Sequence, residues 1–133
     1  VQKTVENLKK FEAEDYAKAM ADTYGGKTPQ ETLQMYIDAV EKGDYELASK
    51  YFIGDKQEGG LGLLKSFDQD ELKWYLNKIL RGATDESANN GQIGKKFIIK
   101  SKSNNPNIYY SEIEFLLYPN NIWKINKIIP EKF

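Results

Sequence analysis

The apolar residues of this chain change their period once, and that change fixes what the chain can become. Up to Gly82 they recur at three- and four-residue steps, the spacing of one helical face. From Lys96 onward they alternate, the spacing of a strand with one face buried. Helices first and strands last is an α+β order, with helices laid over an antiparallel sheet. A chain of 133 residues suffices for one such core, since a domain of this size buries about two-thirds of its unfolded surface.

The helical part is punctuated by caps. Residues 1–24 read as a first helix: Val1, Val5 and Leu8, then Tyr16, Met20 and Tyr24, keep the helical step, with Phe11 between the two sets and Gly25 and Gly26 ending the element. Thr28-Pro29-Gln30-Glu31 is a capping box with Pro at the first helical position. The Thr28 hydroxyl is expected to accept from the Glu31 N–H, and Glu31 to reach back to the Thr28 N–H. Leu33, Tyr36, Ile37 and Val40 then form one face, and Asp38 lies opposite it. Gly43 stops this helix and Asp44 caps the next, whose buried face is Leu47, Ala48, Tyr51 and Phe52, so the two helices form a bent hairpin.

Residues 54–66, GDKQEGGLGLLKS, read as a Gly-rich flap. Its leucines Leu61, Leu63 and Leu64 either tuck onto the core or present a contact patch. It is not a phosphate loop, because Gly62 leads to Leu63-Leu64 and not to Lys-Ser/Thr. Asp68 to Glu71 is a second cap, followed by the stripe Leu72, Tyr75, Leu76, Ile79 and Leu80, with Gly82 as the stop. Trp74 lies off the stripe and is a candidate partner contact with Leu61 and Leu63.

Residues 83–94 read as a polar loop, Lys96 to Lys102 as a strand, 104–107 as a turn, and 107–118 and 122–129 as two more strands. The last hairpin has one register that keeps its faces pure. A three-residue loop, Pro119-Asn120-Asn121 with Asn121 left-handed, pairs Leu117 with Trp123 and Phe115 with Ile125, and sets Leu116 opposite Lys124 and Glu114 opposite Asn126. Ile113, Phe115, Leu117, Trp123 and Ile125 are then the core face.

Composition removes several chemistries. With no Cys and no His, thiol nucleophiles, disulfides, His-based triads and Cys/His zinc sites are excluded, and a metal would need oxygen ligands alone. No metal site or cofactor is expected. Net charge is −1, which gives no field for nucleic acid. Residues 91–133 are nevertheless basic, with seven basic and three acidic side chains; Lys95, Lys96, Lys100 and Lys102 read as solubilising an edge strand. No apolar run reaches the ~18 residues that span a membrane. Nine Tyr, six Phe and two Trp point to an aromatic core or cavity wall.

At residues 28–52 and 108–129 the chain resembles the nuclear transport factor 2-like superfamily, with its cystatin-like cone, in the variant found in bacterial lipoproteins of unknown function. The carriers are the Thr-Pro-x-Glu cap at Thr28, the bend Gly43-Asp44-Tyr45 before Ala48, and the closing strand Asn121-Ile122-Trp123-Lys124-Ile125. The resemblance implies a bent helical hairpin packed on a curved antiparallel sheet of three to four strands, the fourth near residues 88–93. It divides the chain into an N-terminal helix, 1–26, leading from an upstream membrane anchor, and an α+β domain, 27–133. It implies a non-catalytic domain on the extracytoplasmic side of the bacterial envelope, binding a small apolar ligand or a protein partner. Tyr36, Phe52, Tyr75, Phe115 and Trp123 are the expected cavity lining. Two other readings are an assembly domain of a secretion-type complex and an isomerase- or dehydratase-like enzyme using a buried carboxylate and Tyr. For the last, Asp38, Glu112 and Glu114 are the carboxylates to inspect.

Overall fold

The computed structural model describes residues 15–84, 89–102 and 110–129. The chain is α+β: helices pack on an open four-stranded antiparallel sheet in the order β1-β2-β3-β4. Of the first expected helix, residues 15–21 (α1) are helical and 1–14 lie outside the described residues. Tyr16, Met20 and Tyr24 are exposed, so they are not the buried stripe their spacing suggests.

Helix α2 (Pro29–Glu41) begins at Thr28, whose hydroxyl accepts from the Glu31 N–H at 3.1 Å. The Glu31 carboxylate reaches one residue further than expected and accepts from the Lys27 N–H at 2.9 Å. The cause is a chain folded back over the first turn, where the Gly26 N–H donates to the Thr32 hydroxyl at 2.8 Å. Leu33, Tyr36, Ile37 and Val40 are all buried. Gly43 takes φ +78°, and Asp44 caps α3 (Tyr45–Ser49) by accepting from the Leu47 N–H at 3.1 Å. Helix α3 is shorter than its apolar spacing implies. Leu47 and Tyr51 are only half-buried, and Phe52 sits past the helix in a one-residue parallel bridge to Ile125.

Residues 54–66 are not a flap. A single 3-10 turn (Gly54–Lys56) leads into helix α4 (Gln57–Ser66), which buries Leu64. Tertiary packing overrides the low helix propensity of its glycines: at Gly60 an added Cβ would lie 3.0 Å from the Phe52 ring. Helix α5 (Gln69–Trp74) carries the complete Asp68 and Glu71 capping box. It runs on through a π-helical turn (Tyr75–Leu80) into a last turn, α6 (Arg81–Ala83). This long element covers β2 and β3, while α2 lies against β4.

The polar segment 83–94 contains strand β1 (Asn89–Ile93), which pairs with β2 (Lys96–Lys102). Strand β2 is therefore internal and its lysines do not guard an edge. Lys96 and Lys100 instead pair with Glu114 and Glu112 of β3 at 3.1 and 3.6 Å. The expected turn at 104–107 lies outside the described residues.

Strands β3 (Tyr110–Leu117) and β4 (Trp123–Ile129) pair Leu117 with Trp123, Phe115 with Ile125 and Leu116 with Lys124, and Asn121 has φ 66°. Below Phe115 the register departs from expectation, because a bulge sets Glu114 opposite Lys127 in place of Asn126. Strict alternation from Ile125 would turn Lys127 inward. The extra residue turns Ile128 inward instead, against Ile113, and leaves Lys127 exposed.

At Gly43 a Cβ would meet nothing within 4 Å, so its only constraint is the positive φ. Gly43→Val should cost about 1 kcal/mol or more, and Gly43→Asn clearly less, because Asn tolerates the left-handed region. Thermal denaturation of the two variants measures the difference.

Candidate functional site

The five aromatic side chains expected to line a cavity are brought together, as packed core. Tyr36, Phe52, Tyr75, Phe115 and Trp123 are all buried. Tyr36 meets Phe52 edge-on at 5.4 Å, and Tyr75 meets Phe67 at 5.0 Å. Trp123 and Phe115 pack on Phe97 at 6.0 and 6.5 Å. Leu63 and Trp74 are half-buried against this cluster, and Leu61 is half-buried on α4.

Where α2 meets the π-helical turn, the Tyr36 and Tyr75 hydroxyls touch at 3.2 Å. Two O–H protons share one contact, so one proton has no acceptor among the described residues. Burial holds both phenols above their ordinary pKa, and the Tyr75 hydroxyl raises that of Tyr36 further. The pair is neutral at ordinary pH.

Sequence reasoning missed Lys124. Its alternation places it opposite Leu116 on the second face of the sheet, and it is on that face, yet it is 0% exposed. Its ammonium donates to the Tyr24 carbonyl at 2.7 Å and to the Lys50 carbonyl, and pairs with Asp22 at 3.0 Å. Burial lowers its pKa, and Asp22 offsets part of that shift. All three N–H donors have acceptors, so the amine is occupied as a tie. Asn120 assists by donating to the Asp22 carbonyl at 2.6 Å. Nothing local in the sequence marks Lys124, because its partners lie far away in the chain.

The candidate carboxylates are placed on the surface or paired. Asp38 is exposed and accepts from Gln34 at 2.9 Å. Burial pushes Glu114 up, but hydrogen bonds from Asn126 and Lys96 outweigh it and hold the carboxyl below its ordinary value. Among the described residues no group of three His, Cys, Asp or Glu could hold a metal ion, and no helix is long and apolar enough to cross a membrane.

Concave surface lies outside the core. One groove of about 720 Å³ runs between α1 and the end of the last hairpin, bordered by Asp15, Lys18, Asp22, Asp55, Leu116 and Tyr118. A second, of about 420 Å³, runs between α4 and the outer edge of β4, bordered by Phe52, Gly59, Gly60, Leu63, Lys127 and Ile128. Comparison with family models, curated proteins and solved structures returned no match.

Tyr36→Phe and Tyr75→Phe should each cost about 1–2 kcal/mol, and the double variant less than their sum, because it strands no hydroxyl. The sign with pH follows from the raised folded pKa values: the stability is fully present below pH 10, the ordinary value, and is lost as pH rises above it. Denaturant titrations across that range should show a shallower alkaline decline for the double variant. Lys124→Met strands one carboxylate and two carbonyls and should cost about 3 kcal/mol. Hydrogen exchange should then accelerate at residues 22–24 before α5.

Proposed function

We propose that this chain is a non-catalytic binding domain whose occupant is a protein partner. The observation that carries this reading is the disposition of its aromatic residues. The side chains that could have walled a ligand chamber fill the core against one another, while the grooves lie at the surface and mix apolar with charged borders. Such a mixture suits a protein surface better than a small apolar ligand, which favours an enclosed and mostly apolar site. A non-catalytic role is supported by the titratable groups in the interior. Tyr36 and Tyr75 are held neutral, and Lys124 has each of its N–H donors engaged, whereas acid–base chemistry favours a group poised near the working pH. We further propose an extracytoplasmic placement, on the resemblance of residues 28–52 and 108–129 to the envelope lipoprotein variant of the cone fold.

Photo-crosslinking residues placed at Asp55, which borders both grooves, and at Gln92 on β1 test this in the producing cell. The expected result is one defined partner adduct from Asp55 and no adduct with that partner from Gln92. An apolar ligand that co-purifies in native mass spectrometry and quenches Trp123 fluorescence would overturn the protein-partner reading.

A further inference from the structure

The sheet has two edges, and the fold treats them differently. At β4 the outer edge is taken by the chain itself. The Trp123 N–H donates to the Gly26 carbonyl at 2.9 Å, the Ile125 N–H to the Tyr51 carbonyl at 2.8 Å, and the Ile53 N–H to the Ile125 carbonyl at 2.8 Å. The other edge is β1, which pairs with β2 alone. The direction of its backbone groups follows from the register. Gly94, with φ 60°, and Lys95 form a two-residue turn, so Ile93 and Lys96 are a hydrogen-bonded pair. The direction then alternates along the strand, and Gly91 and Asn89 also face β2. The Leu117 N–H donates to the Lys95 carbonyl at 2.8 Å, which fixes the same alternation from the β3 side. Asn90 and Gln92 therefore turn their N–H and C=O groups outward, and no described segment pairs with them.

Edge strands are ordinarily guarded by a charge, a proline, a bulge or a covering segment. The outer edge of β4 has its covering segment. Among the described residues β1 has none of these guards. It reads Asn-Asn-Gly-Gln-Ile, without charge or proline, and its register with β2 runs unbroken. The helices lie chiefly over β2, β3 and β4. Asn90, Gly91, Gln92 and Ile93 are exposed, and Ile93, at 78%, is the most exposed large apolar side chain among the described residues. Gly91 leaves the middle of the strand bare, because a Cβ there would meet nothing within 4 Å.

We propose that the β1 edge pairs with the same edge of a second copy of this chain, antiparallel, about a two-fold axis at Gly91. The contact is separate from the two grooves and holds or fails independently of any partner they take. Antiparallel self-pairing can be centred at different residues, but only one centre engages every outward group described. With Gly91 opposite Gly91, Asn90 comes opposite Gln92 of the second copy, and Gln92 opposite its Asn90. Each of these pairs exchanges both of its N–H···O=C bonds. The central Gly91 pair is of the other kind, in which the Cα atoms approach to about 4.5 Å, and neither residue has a Cβ. On that face Ile93 lies diagonal to Gly91 of the second copy and closes over it. Asn90 and Gln92 meet on the opposite face as neutral amides, so the axis brings no like charges together. A strand from a different protein would gain the backbone bonds without this reciprocity. A joint of five residues per copy lies well below the about 1,200 Å² of stable interfaces, so the dimer is weak and forms with concentration.

Sedimentation and amide exchange across a concentration series test this. Rising concentration should move the chain from monomer toward dimer and slow exchange at the Asn90 and Gln92 amides. The Gly91 and Ile93 amides, already bonded to β2, should not respond. Gln92→Pro removes only an outward donor, which an edge strand tolerates. It should weaken dimerisation about tenfold or more and keep the melting temperature. Gly91→Lys sets two lysines face to face across the axis and should abolish the dimer, as should Gly91→Glu. Mixed together, these two variants should dimerise again, because each lysine then meets a glutamate. Such a rescue also shows that both variants fold. A chain that stays monomeric across the whole series, a dimer that survives Gln92→Pro, or concentration-dependent protection outside β1 would each overturn the inference. So would the absence of rescue on mixing while the β2 amides stay protected.

Discussion

The ammonium of Lys124 is the tie on which the arrangement around β4 depends. A charge taken fully out of water is tolerable only with complete partners, and its three partners come from separate places: the Asp22 carboxylate, the Tyr24 carbonyl and the Lys50 carbonyl. The amine therefore needs residues 22–24 and the end of α3 to be in position together. Their positions in turn fix the two backbone pairings nearby. Gly26 can reach Trp123 because the segment leading to it is held at Tyr24, and Tyr51 can reach Ile125 because Lys50 is held just before it. Gly25 is part of the same fit, since a Cβ there would lie 2.5 Å from the Trp123 carbonyl oxygen.

Strand β4 is thereby engaged in four directions. One face carries Trp123 and Ile125 into the core, the other carries Lys124 into its ring of acceptors, and the inner edge pairs with β3. Among the described residues, the outer edge is paired through Trp123 and Ile125, by Gly26, Tyr51 and Ile53. The bulge matters here because it turns Ile128 inward and Lys127 outward.

Local chemistry made much of this legible in the sequence. Thr28, Asp44 and Asp68 cap because their side chains reach N–H groups three residues on, and Gly43 and Asn121 take positive φ where a turn needs it. The hairpin register down to Phe115 was legible because one residue of slip inverts every side chain. What stayed hidden depends on distant parts of the chain. The covering of Lys124 comes from residues 22–24 and 50, and no sequence period reports it. The bulge at Asn126 satisfies Ile128 and Ile113 together, which alternation within one strand cannot express. Of the candidate site, the aromatic residues were identifiable, but their packing against Phe67 and Phe97 decides whether they enclose space or fill it.

Helix α4 shows the same limit from the other side. Three glycines within ten residues read as a loop, because each lowers helix propensity. The helix exists because Leu64 is buried and the bare surface at Gly60 lets Phe52 close against it. That accounts for one glycine. Gly59 and Gly62 have helical backbone and no neighbour that a Cβ would touch, so stability alone would favour alanine at both. Two such residues on a short helix lower its stability with no packing gain among the described residues. Local sequence rules and tertiary structure disagree most sharply at α4, and such disagreement is expected where a surface is shaped for something other than its own stability.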